Sequence, residues 1–185
     1  MARLPYVDPA DAPERVREAL EAVPPLNIFR TMAHAETAFR PWLRWGGVLL
    51  GELELDPALR ELAILRVAQQ TPHAEYEWVQ HVPIALAVGA TQAQVDAIER
   101  DELEADAFDD VQRSVLRFTD EVIHDARASE PTFDALRAAL SPREIVELLM
   151  VVGQYMMLAR VMATVDIELD DPAGRAVIDR ASREG

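Results

Sequence analysis

Glu61, Glu77 and His81 are the polar side chains whose types and spacing suit proton transfer. Glu77 and His81 stand four residues apart, so a helix stacks them on one face. A carboxylate beside an imidazole can orient it and pass a proton through it. Glu61 lies on the preceding helical pattern, on a face with Ile64, Leu65 and Ala68, and an acid hemmed in by aliphatic side chains tends to hold its proton more tightly. The same pattern has plainer readings. A Glu/His pair at this spacing also occurs as surface stabilisation worth about a few tenths of a kcal/mol, and a histidine flanked by Trp78, Ile84 and Ala85 serves equally as a half-buried, hydrogen-bonded core residue. His73, Glu77 and His81 fall at successive steps of four, which raises a metal site. The HExxH pattern is absent, however, and imidazoles eight residues apart lie about 12 Å apart on a straight helix, so no metal is expected. His34 and His124 have no clustered partners and read as surface or boundary residues.

The rest of the composition removes whole classes of chemistry. The chain has 185 residues, no cysteine and no lysine, its 18 basic residues all being arginine. Without thiols there is no disulfide, thiolate metal site or cysteine nucleophile. Without lysine there is no Schiff base and no covalent pyridoxal phosphate linkage. No cofactor is expected. A formal charge of −15 repels nucleic acid and anionic membranes, so neither is expected as a partner. The first residues carry acids and prolines instead of an apolar signal, which points to a cytoplasmic protein. The apolar stretch 148–165 approaches membrane-spanning length, but with Gln154, Tyr155 and Arg160 inside it the better reading is a buried central helix.

The elements that must position these groups read as helices throughout, and the expected fold is a single all-α domain over residues 1–185. Residues 14–23 form a short amphipathic pattern that stops at Pro24-Pro25. Asn27 opens an aromatic-weighted stretch with Phe29, Met32, Phe39, Trp42 and Trp45, in which Pro41 is a kink or restart and the aromatics are core rather than pocket. Asp56-Pro57 is a helix start, an N-cap carboxylate followed by a first-turn proline, and the helix it opens is apolar on nearly all sides and so buried. It breaks at Thr71-Pro72. The next helix ends at Gly89 and contains Pro83, which removes the amide that would bond the Val79 carbonyl beside His81. Thr91 caps a short helix, residues 101–110 form an acidic solvated turn, and helices follow to about Ala126 and after Pro131. Ser141-Pro142-Arg143-Glu144 is a capping box that launches a helix to about Val165, with Arg160 as its one buried-looking charge. A last helix is expected over 171–183.

The segment RELAILRVAQQTPHAEYEWVQHVPIALAVGATQAQVDAI resembles the signature region of the carboxymuconolactone decarboxylase family, which includes the alkylhydroperoxidase D proteins. PLNIFRTMAHAE and SPREIVELLMVVGQYMMLARVMATVDIELD are similar to other family segments. The resemblance implies an all-helical fold assembled as trimers or hexamers, with a Glu on one helix and a His on the next in the site. Those residues match Glu61 and His81. The peroxidase branch places C-x-x-C four residues before that histidine, where this chain has Ala74 and Glu77, so disulfide exchange and peroxidase activity are not implied. The decarboxylase branch implies a cofactor-free loss of CO2 from a lactone acid.

Two functions follow. In one, the chain is a cofactor-free acid/base enzyme, decarboxylase-like, on a small carboxylated lactone or enolisable acid. His81 moves the proton, Glu77 or Glu61 orients it, Arg66 or Arg160 holds a carboxylate, and Tyr155 and Trp78 contact the substrate. In the other, the constellation is a relic inside an oligomeric helical scaffold or a small-molecule binding protein. Convergence of Glu61, Glu77 and His81 on a solvent-reachable cavity would separate the two.

Overall fold

The computed structural model describes residues 1–174, and among these the regular structure is helical: α1 (Glu14–Glu21), α2 (Asn27–Met32), α3 (Glu36–Gly51), α4 (Pro57–Gln70), α5 (Glu75–Ala87), α6 (Gln92–Glu99), α7 (Asp110–Asp125), α8 (Glu130–Ala139) and α9 (Pro142–Val165). The all-α expectation therefore holds for the described residues. The helix expected over 171–183 lies outside them from residue 175 onward, and residues 171–174 are not helical.

The helix starts follow from local chemistry. The Asp56 carboxylate accepts from the Ala58 and Leu59 amides at 2.8 and 3.1 Å, satisfying donors that the first turn of α4 leaves open. Thr91, Asp109 and Ser141 each form a reciprocal capping box with the residue three positions on. Gly89 closes α5 with φ of 114°, a conformation that suits glycine, and lets the Ala90 amide return to the Ala85 carbonyl at 2.9 Å. Neither internal proline ends its helix: α3 runs through Pro41 and α5 through Pro83.

α4 is the centre of the packing, touching α5, α6, α7 and α9. Every residue from Leu59 to Ala68 on it is buried, as its all-round apolar pattern requires. One side of α4 joins Leu49, Phe118, Leu148 and Val152 in the main core, and the other side joins Ala85, Val95, Ile98 and Leu116 in a second. Its three buried charges are all paired, Arg60 with Glu61, Glu61 with His81, and Arg66 with Asp101 and Asp120.

α9 departs from the buried central helix expected. One face packs through Leu148, Val151, Val152, Tyr155 and Ala159, while Val146, Leu149, Met150 and Met157 are 38–51% exposed on the other. α9 is long and apolar enough to cross a membrane by length and composition, but its buried face lies against α4, α7 and α8. Arg160 is not buried. It points outward and folds back on the Met156 carbonyl at 2.6 Å. After α9 the chain returns across α2 and α5, where the Asp170 carboxylate accepts from the Asn27 amide and the Tyr76 hydroxyl, both at 2.6 Å. Gln80 holds the same segment through the Asp170, Asp171 and Ala173 main chain.

Candidate functional site

α4 and α5 place the three expected residues around one point. The Glu61 side chain is completely buried, and its two oxygens are used in different directions: Oε1 accepts from Arg60 Nε at 3.0 Å, and Oε2 meets His81 Nδ1 at 2.8 Å. Arg60 also donates from Nη1 to the Leu50 carbonyl at 2.9 Å, near the C-terminal end of α3, where a cation is favoured. A carboxylate paired with a guanidinium can only accept, so the ring proton of a neutral His81 sits on Nδ1. Nε2 then keeps its lone pair, the arrangement of a general base. Tyr155 of α9 fixes the ring plane, meeting it edge-on with centroids 4.8 Å apart at 88°. His81 is 8% exposed, more buried than the half-buried position expected, because Tyr155 covers the side that α5 leaves open.

His81, Glu77 and Tyr155 line a cavity of about 140 Å³ with Trp42, Leu49, Leu158 and other apolar side chains of α2, α3 and α9. Partly exposed Val23, Pro24, Leu43 and Gly46 stand at its outer wall. Glu61 does not line it but stands behind His81. Glu77 is the anomaly: both carboxyl oxygens are buried and neither has a partner. Burial first, and the negative charge of Glu61 second, push its carboxyl well above the ordinary range, so it is a neutral acid at neutral pH. The expectation of a proton-retaining acid among aliphatic side chains thus falls on Glu77, because Glu61 has two ion-pair partners that its own helix pattern did not reveal.

The remaining expected residues divide. Tyr155 lines the cavity; Trp78 does not, packing instead against the second core. Neither arginine reaches it. Arg66 donates to both Asp120 oxygens, at 2.5 and 2.7 Å, and to Asp101 at 2.6 Å, and Arg160 faces solvent. Trp42, expected as core, is a cavity wall with an unpartnered buried indole nitrogen. Sequence reasoning missed Arg60 and Gln80. A charge in the first turns of an otherwise apolar buried helix must be paired, and this was the signal available for Arg60. His73 and His34 are exposed and distant in role, and no group of three metal-ligating side chains exists among the described residues.

The family model for the carboxymuconolactone decarboxylase family matches residues 36–121, the stretch that contains α3, α4 and α5 with Glu61, Glu77 and His81. Residues 36–121 belong to the carboxymuconolactone decarboxylase family. The chain has no cysteine, and Ala74 and Glu77 stand where the sequence resemblance places a C-x-x-C pair. Solved structures share the alkylhydroperoxidase D-like fold of this family. An uncharacterised peroxidase-related protein from Ralstonia eutropha JMP134, described as an alkylhydroperoxidase AhpD core, is 21% identical with TM-score 0.79, over 92% of this chain and 93% of that one. Another, from Silicibacter sp. TM1040, is 19% identical with TM-score 0.77, over 91% and 92%. A Cys-to-Ala variant of the debrominase Bmp8 in complex with 2,3,4-tribromopyrrole is 18% identical with TM-score 0.72, over 98% and 100%. No curated protein matches the chain.

The neutral Glu77 has a measurable consequence. The folded chain holds a proton at Glu77 that the unfolded chain releases above about pH 4.3, so stability is fully present below that pH and falls as pH rises towards the raised folded value, by up to about 1.4 kcal/mol per pH unit. The charged group acting on Glu77 is Glu61 of α4, and His81 of α5 and Tyr155 of α9 share the cavity wall with it. Glu77→Gln is expected to remove this loss, so that its melting temperature relative to the wild type shifts in its favour as pH rises above about 5. A constant margin across thermal melts in that range would contradict the neutral acid.

Proposed function

We propose that the chain is a cofactor-free enzyme of proton transfer, acting on a small lactone-like or enolisable molecule, with His81 as the proton-transfer group. The observation that carries this reading is the Glu61–His81 pair. One ring nitrogen is fixed by a buried carboxylate, the other is left for a ligand, and the ring forms part of a cavity wall. A relic would be expected to have its polar groups mutually satisfied, whereas Glu77 has no partner at all. The debrominase with the same fold holds a small ring, which fits a cavity of this size. Both substrate forms expected from sequence, a carboxylated lactone and an enolisable acid, carry a carboxylate, and an uncharged lactone or ketone is preferred to either. No arginine is among the described residues that line the cavity. The test is solvent-deuterium exchange at the carbon next to the carbonyl across a panel of lactones and ketones. Exchange that is saturable in wild type and lost in His81→Gln supports the proposal; exchange equal to the buffer rate for every compound removes it.

Self-association is part of the proposal. Val146, Leu149, Met150 and Met157 make an exposed apolar stripe along α9, and Gly153 between them has open space around it for a close approach. Light scattering at micromolar concentration should give a mass well above the 20.6 kDa of one chain, and Met150→Glu should lower it. A wild-type mass of one chain would refute assembly.

A further inference from the structure

Three features of the cavity bear on what it binds. Its walls are mostly hydrocarbon and aromatic, from Leu26, Phe29, Leu49, Leu158 and Met162 among others. No cationic side chain is among the described wall residues. Two wall residues carry buried polar atoms with no partner, both oxygens of Glu77 and the indole nitrogen of Trp42. Unpartnered buried groups of this kind are rare, and each calls for an explanation in binding or chemistry. An indole nitrogen only donates, and a carboxyl group that holds its proton also donates. The residues that line the cavity therefore include hydrogen-bond donors, Glu77, Trp42 and the Tyr155 hydroxyl among them, and no arginine.

We propose that the cavity takes an uncharged, ring-sized carbonyl compound whose oxygen accepts a hydrogen bond from the Glu77 carboxyl group, and that it excludes the corresponding carboxylates. This rests on the preceding reading of His81 only for the chemistry, not for the binding. An anion entering would meet hydrocarbon and Glu77, with no arginine in the wall and the nearby Arg60 already paired with Glu61, and an unpaired charge in such surroundings is strongly disfavoured. A neutral carbonyl instead satisfies Glu77. The volume, about 140 Å³, matches an apolar cavity of about 150 Å³ that accommodates benzene, so a single ring fits. In the bound complex, His81 Nε2 takes the proton from the carbon next to the carbonyl as that C–H bond breaks, and Glu77 gives its proton to the carbonyl oxygen. The products are the enol, an imidazolium and the Glu77 carboxylate. Reversal with a solvent-derived proton regenerates the ketone and both side chains, so no oxidant or further reactant is consumed.

The test uses carbonyl-labelled cyclohexanone and cyclohexanecarboxylate, titrated into the full-length protein and followed by carbon-13 NMR, with wild type, Glu77→Leu, Glu77→Gln and His81→Gln compared. The expected result is saturable cyclohexanone binding with a downfield carbonyl shift, weakened about tenfold in Glu77→Leu and largely kept in Glu77→Gln, whose amide still donates. The carboxylate should bind at least about tenfold more weakly than the ketone to wild type. Leucine fills the same space without a polar group, so Glu77→Leu is expected to fold, as circular dichroism would show, and Glu77→Gln provides a second readout if it does not. Cyclohexanecarboxylate binding as tightly as the ketone, no saturable ketone signal, or a carbonyl shift indifferent to both Glu77 substitutions would each overturn the proposal. Binding as expected in His81→Gln, without exchange in any form of the protein, would leave this inference standing and remove only the acid/base reading.

Discussion

Glu61→Ala is expected to destabilise the fold by about 3–5 kcal/mol, because it leaves the Arg60 guanidinium buried beside an uncompensated space. Arg60 is 2% exposed and Glu61 fully buried, so solvent cannot screen or replace the lost partner. Arg60 would keep only the Leu50 carbonyl, and the His81 ring would lose the acceptor that sets its orientation. For a chain of this length the loss corresponds to about 6–20 °C in melting temperature. The decisive comparison is with Arg60→Met combined with Glu61→Leu, which removes both charges and fills the space. That double variant should recover most of the stability in urea unfolding while losing exchange activity, since replacing a buried pair by hydrocarbon is often neutral. If the double variant is as unstable as Glu61→Ala, the cost comes from packing and not from an orphaned charge.

His81→Gln is expected to leave melting close to wild type and to lower kcat by about 10²–10⁴-fold, the usual contribution of a positioned general acid or base. A glutamine amide can still donate towards Glu61 Oε2, which keeps the buried acceptor satisfied, but it cannot take up a proton. KM should change less than kcat, because the cavity walls that bind the ring are untouched. Stopped or isotope-exchange assays on wild type and variant, with thermal melts run alongside, measure both quantities. Normal turnover by a variant that melts far below wild type would make His81 a structural residue and move the chemistry elsewhere.

The sequence by itself determined the helices, their starts and the chemistry that is missing. Helix periodicity and capping are written in neighbours three and four residues apart, so Asp56, Thr91 and Ser141 mark their helices without knowledge of the fold. The absence of cysteine and lysine is equally a property of the chain alone. Glu77 and His81 could be placed together because one helix carries both. What periodicity does not specify is which face of one helix meets which face of another. Arg66 looked free to bind an anion because its partner Asp120 lies 54 residues away on α7, and Arg160 looked buried because its neighbours in sequence are apolar although its own face of α9 is outward. Tertiary packing likewise set α4 against α5, which gave Glu61 to His81 across 20 residues and left Glu77 facing a cavity without a partner. Two glutamates alike in sequence became an ion-paired carboxylate and a neutral acid, because the surroundings that fix a carboxyl's charge are supplied by other helices.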